Sequence, residues 1–180
     1  MSGRDSIYIV DDVNFKSEQC DNYVNFIEKY NENGTIILND KSDDFTIDRI
    51  QWVTKIIMEI QDKVRIIADM VRENLGLTIY GDPGYVFQGT EGNGSLCIDG
   101  VKPSALKEID HDKIRCLTVI AALNDFDSKT DLYFPKQDVS IKLKKGEFVV
   151  FPPYWTHPYK IRTDDPQKMT YILKTWMFGE

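Results

Sequence analysis

Side chains able to do metal, nucleophilic or proton chemistry are few in this 180-residue chain: two histidines, His111 and His157, and three cysteines, Cys20, Cys97 and Cys116. Two histidines exclude a three-histidine metal centre. The cysteines form no CxxC pair and no disulfide framework, so they are expected as reduced thiols in an intracellular protein. His157 follows the apolar run Phe148–Phe151 and the pair Pro152-Pro153. Proline donates no ladder hydrogen bond, so regular pairing should stop there. A histidine placed where a buried strand empties into a turn can ligate a metal or exchange a proton. The same position also suits a rim histidine bonded to backbone. His111, within Asp110-His111-Asp112, reads as a loop residue, either solvated or carried to a site by its loop.

The elements that must position these groups change character midway along the chain. Ser6–Val10 reads as an opening strand. Ser17 is a candidate N-cap for a helix over 17–31, with Cys20, Tyr23, Val24, Ile27 and Tyr30 at helical spacing and Asn33-Gly34 as its stop. Thr35–Leu38 reads as a short strand and Lys41–Asp44 as a loop. Asp44 or Thr46 can cap a long second helix whose stripe, Ile47, Ile50, Val53, Ile57, Ile60, Val64, Ile67 and Val71, runs for roughly seven turns to Gly76. From Leu77 onward the period is that of strands: 77–80, 84–88, 95–98, 114–123, 131–134, 139–143, 147–151, 156–161 and 169–178, separated by Gly, Pro, Asn and Asp. Many short strands after two helices predict an α+β fold with a sandwich or barrel. One domain over 1–180 suffices, with helical support about 1–76 and a β-rich core about 77–180.

Composition narrows the function. Net charge is −7, from 29 acidic and 22 basic residues. That disfavours binding to nucleic-acid phosphates or anionic membranes. No apolar run approaches membrane-spanning length and the N-terminal residues carry no signal-peptide pattern, which points to the cytoplasm.

The strand half also resembles a known family. The order runs from the Gly-rich segment ending Cys97-Ile98-Asp99 through Arg115-Cys-Leu-Thr-Val-Ile-Ala-Ala-Leu-Asn-Asp125 and Leu132-Tyr-Phe-Pro135. It continues with Lys145-Gly-Glu-Phe-Val-Val-Phe-Pro152, Trp155-Thr-His157 and Tyr171-Ile-Leu-Lys-Thr-Trp176. This resembles the prolyl 4-hydroxylase-like branch of the Fe(II)/2-oxoglutarate dioxygenases, in the small form found in phages and bacteria. The resemblance implies a double-stranded β-helix (jelly roll, cupin-like) with N-terminal flanking helices. It also implies Fe(II) as metal, 2-oxoglutarate as co-substrate and, if the source is viral, the host cytoplasm as location.

The family's ligand set carries over unevenly. The resemblance places His157 at the distal histidine and Asp99 at the aspartate. Two residues before Asp99, where the family has histidine, this chain has Cys97, a softer ligand that must lose a proton. The basic residue that holds the far carboxylate of 2-oxoglutarate falls on Thr170. Lys168 lies on the same strand face and can take that role or stand as a solvated end; Lys174 shares the face as well. Thr130-Asp131 stands where the family often carries Gly-Gly. Among the remaining residues, Arg115 reads as structural, pairing a nearby carboxylate. Tyr154, Trp155 and Trp176 read as packing aromatics.

The resemblance thus implies an oxygenase that hydroxylates a peptide side chain, prolyl among the options, or a small molecule. The alternative is a catalytically inactive jelly-roll binding protein that has lost the iron site. A cupin-like protein holding another metal, with Cys97 favouring zinc, is a third reading.

Overall fold

In the computed structural model, residues 1–30, 35–38, 47–100 and 114–180 are described. The Asn33-Gly34 stop, the Lys41–Asp44 loop, the caps Asp44 and Thr46, and His111 lie outside the described residues. Eleven strands and two helices run in the order β1 (Ser2–Arg4), β2 (Ile7–Val10), α1 (Ser17–Tyr30), β3 (Thr35–Leu38), α2 (Ile47–Leu75), β4 (Ile79–Gly81), β5 (Tyr85–Glu91), β6 (Arg115–Ala122), β7 (Thr130–Phe134), β8 (Val139–Ile141), β9 (Phe148–Phe151), β10 (Lys160–Thr163) and β11 (Met169–Gly179). An eight-stranded sheet runs β1-β2-β9-β6-β11-β5-β3, with β4 also on β11. A three-stranded sheet, β10-β7-β8, faces it. The observed pairings are antiparallel. This is the jelly-roll, α+β architecture.

The large sheet is covered on both faces, which explains why β9 reads as an unbroken apolar run and β6 as a buried one broken only by Thr118 past its head. On β6, Leu117, Val119 and Ala121 join one core cluster while Ile120 and Ala122 join the other. The outer cluster is the helix layer: Cys20, Tyr23, Phe26 and Ile27 of α1, and Val53, Ile56, Ile60, Ile67 and Val71 of α2. Ile56 rather than Ile57 carries the helix stripe, being 2% exposed while Ile57 is partly buried. Lys16, not Ser17, caps α1: its carbonyl accepts the first helical bond from Cys20 N, and its own N–H donates to Gln19 Oε1, half of a capping box. Gly76 closes α2 as expected, at φ +70° with its N–H on Arg72 O.

The inner cluster lies between the sheets, where Ile7, Ile120, Val149, Phe151 and Ile172 meet Leu132, Phe134, Ile141, Tyr159 and Ile161. Gly146 sits at φ +89°, and a Cβ there would run into the carbonyl oxygen of Phe15, so the turn before β9 requires glycine. Two expected strands are shorter or shifted. The 95–98 segment is reduced to one bridge, Cys97 with Tyr159. The 156–161 strand begins only at Lys160, because His157 N–H donates back to Tyr154 O in a tight turn at 2.8 Å.

Candidate functional site

Three segments build the mouth between the sheets. The Cys97–Tyr159 bridge is closed by both backbone bonds, 2.7 Å from Cys97 N to Tyr159 O and 3.1 Å in return. The bridge ties the segment that carries Asp99 to the one that carries His157. The inner face of β11 supplies Thr170, Ile172, Lys174 and Trp176 by strand alternation. Thr118 and Arg115 come from β6.

Asp99 is buried, with a partner on each carboxylate oxygen. Lys174 Nζ donates to its Oδ1 at 3.1 Å. Tyr159 OH donates to Oδ2 at 2.7 Å and Thr118 Oγ1 at 3.3 Å. Arg115 Nη1 holds the backbone carbonyl of Asp99 at 2.8 Å. Lys174 Nζ also donates to Tyr159 OH at 3.1 Å, and the Arg115 guanidinium lies 3.9 Å from the Trp176 ring centroid. Burial, with the Asp99 charge beside it, pushes the Tyr159 phenol well above its usual range, so it remains a donor.

His157, 8% exposed, uses both ring nitrogens. Nε2 lies 2.9 Å from Asp5 O and Nδ1 2.9 Å from Thr156 Oγ1. A carbonyl oxygen can only accept, so Nε2 carries the proton and Nδ1 accepts from the threonine hydroxyl. Cys97 donates its thiol to Ser95 O at 3.5 Å, and burial raises its pKa, with Lys174 pulling the other way. Its thiolate is therefore disfavoured. Among the described residues, no group of three or more His, Cys, Asp or Glu side chains is arranged to hold a metal ion. Of the donors that the resemblance assigns to iron, Asp99 and His157 are bonded to protein partners and Cys97 is held as a thiol. As arranged, these described residues do not fit Fe(II).

The cavity beside this cluster does not suit a dicarboxylate. A cavity of about 350 Å³ opens beside the mouth, lined by Gln88, Thr90, Glu91, Asn93, Ser95, Cys97, Tyr159, Ile161 and Ile172 among others. None of its lining side chains is basic, and Glu91 adds negative charge. A buried dicarboxylate needs a cation. Lys168 is turned to Asp127, 3.2 Å away. Backbone donation from Lys129 and then this contact hold the Asp127 carboxyl below its ordinary range. Thr170 is 1% exposed and its hydroxyl has no partner.

Sequence reasoning named Lys174 only as sharing the face of Lys168, without its partner, and passed over Tyr159. The signal was available: a lysine between Ile172 and Trp176 on the inner face of a covered strand must have a buried partner. Arg115 pairs a carbonyl rather than a carboxylate. Trp155, expected to pack, is 67% exposed, with Lys136 Nζ 4.2 Å from its ring.

No protein-family model matches the chain, and no curated protein matches it. Solved structures do. A viral collagen prolyl hydroxylase from Paramecium bursaria Chlorella virus-1, solved with 2-oxoglutarate, aligns over 97% of this chain and 96% of its own at 16% identity and TM-score 0.67. A prolyl hydroxylase from Trichoplax adhaerens, in complex with a hypoxia-inducible-factor peptide fragment, aligns over 96% and 83% at 15% identity and TM-score 0.62. A Pseudomonas putida prolyl-4-hydroxylase aligns over 97% and 93% at 11% identity and TM-score 0.60. The fold of this chain is theirs.

Proposed function

We propose that this chain is a binding protein built on the prolyl-hydroxylase jelly roll, one domain over 1–180, that works in the cytoplasm without an iron centre. One observation carries this reading: both carboxylate oxygens of Asp99 are held by Lys174, Tyr159 and Thr118. With His157 spent on Asp5 and Thr156, no first ligand is free to recruit a metal. The ligand is a peptide segment lying across the mouth. Supporting this are the exposed side chains within two residues of Asp99 and His157, Ile98 at 54% and Trp155 at 67%, and the Trichoplax neighbour that holds a peptide.

The second reading is the 2-oxoglutarate- and Fe(II)-dependent oxygenase, with His157, Asp99 and Cys97 on the metal and Lys168 or Thr170 at the far carboxylate of the co-substrate. Its specific support is the fold shared with the viral enzyme solved with 2-oxoglutarate. It requires Asp99 to release Lys174 and His157 to release Asp5. An anaerobic titration with Fe(II) and then 2-oxoglutarate separates the two. The binding-protein reading expects no visible charge-transfer band and no metal by elemental analysis. A band saturating at one equivalent and lost in His157→Ala would establish the oxygenase reading instead.

A further inference from the structure

We propose that the Lys174 ammonium has taken the place of a metal ion as the counter-charge of Asp99, and that a latent divalent-cation site lies beneath this ion pair. The inference rests on the iron-free reading and adds which residue keeps the ion out. Lys174 is 8% exposed, on the inner face of β11 between Ile172 and Trp176. A buried ammonium is tolerated only with a close anion and further acceptors. Asp99 Oδ1 and Tyr159 OH, each 3.1 Å from Nζ, meet that need. The carboxylate cannot hold this cation and a divalent ion at the same oxygens, because the two positive charges would repel each other across a few ångströms.

Charge balance points the same way. Asp99 with Lys174 is neutral without any co-ligand. A divalent ion on Asp99, with a neutral His157 and a protonated Cys97, would leave one uncompensated positive charge in a buried place. The backbone nevertheless retains the frame of a cation site. Cys97 lies two residues before Asp99, and the Cys97–Tyr159 bridge ties this segment to the one that carries His157. Three side chains decide the outcome: Lys174, Cys97 and Asp99.

The test uses Mn(II) alone as probe, with the free-ion electron paramagnetic resonance signal and the melting temperature as readouts. Wild type is expected to leave the signal and the melting temperature unchanged. Lys174→Thr, which strands Asp99, is expected to melt on the order of 10 °C lower. Cys97→His/Lys174→Thr is expected to bind one equivalent of Mn(II) and recover several degrees of that loss on binding. Asp99→Asn/Lys174→Met, which removes both charges, is expected to melt near wild type and bind nothing. If wild type binds one Mn(II) and Asp99→Asn abolishes it, the iron-free reading fails and this inference with it. If wild type binds none and folded Cys97→His/Lys174→Thr also binds none, the counter-charge role alone is overturned. Should that variant not fold, Cys97→His/Lys174→Gln replaces it, and the absence of any Mn(II)-dependent rise in its melting temperature is the overturning result.

Discussion

The two faces of the large sheet solve different problems with the same strands. On β11, Leu173 and Met177 turn outward to the helices, while Ile172 and Lys174 turn inward toward the small sheet. Outward, aromatic and branched aliphatic side chains from both helices close a continuous apolar layer, with Phe26 and Phe87 wholly buried at ring centroids 5.9 Å apart. Inward, the apolar cluster ends in a charged group: Asp99, Lys174 and Tyr159, with Thr118 beside them. The helix face is stabilised by area removed from water, which adds with every methylene. The mouth is stabilised only as a unit, because each buried charge there is costly without its partner.

Breaking the helix face should give the largest effect. Phe87→Ala, removing a ring that is 0% exposed, is expected to cost about 3–5 kcal/mol in urea unfolding. A loss under about 1 kcal/mol would mean that the outer layer is loosely packed and the contrast between the faces is wrong.

A smaller effect sharpens the same contrast by pH. Burial in the helix layer pushes the Cys20 thiol from 9.0 up to about 11, against a smaller opposing pull from Lys145. The folded state therefore holds this proton more tightly than the unfolded chain does. The resulting stability is complete below the unfolded value and drains away as pH rises toward about 11. It amounts to about 3 kcal/mol. Urea unfolding between pH 8 and pH 11, compared with Cys20→Ala, should show a shallower alkaline slope in the variant; equal slopes would place Cys20 outside the dry layer.

The smallest effect lies on the outer side of the small sheet, which belongs to neither face. Arg162 holds Asp131 through two bonds of 3.0 and 2.7 Å and lies over Tyr133 at 3.7 Å, but its side chain is 40% exposed. Arg162→Ala is expected to cost at most about 1 kcal/mol. A loss several times larger would show that charge pairing outside the mouth also carries the fold.

The helix face was legible in the chain because it obeys periods. The α2 stripe, the unbroken apolar run of β9 and the glycine at 146 each reflect a local rule, and each has its counterpart in the fold. Ile56 replaced Ile57 in the stripe because both lie within one helical step of the same face, and the choice is made by the sheet. The segment around Cys97 was legible only in part: its alternation is that of a strand, yet one bridge is all the ladder it forms. The mouth was least legible. His157, Asp99 and Cys97 can be found by their types and spacing, and Lys174 by its place on a covered strand. Whether a carboxylate faces a metal or an ammonium depends on side chains 75 residues apart in sequence meeting at 3.1 Å, and no local pattern encodes that meeting.

Anomalous diffraction from crystals of the wild-type protein soaked anaerobically with Mn(II) puts the mouth to the most direct test. Lys174 Nζ should remain against Asp99, with no anomalous peak within bonding distance of the carboxylate. A peak between Asp99 and His157, with Lys174 displaced, would contradict an ion pair in the metal's place and return the chain to the oxygenases.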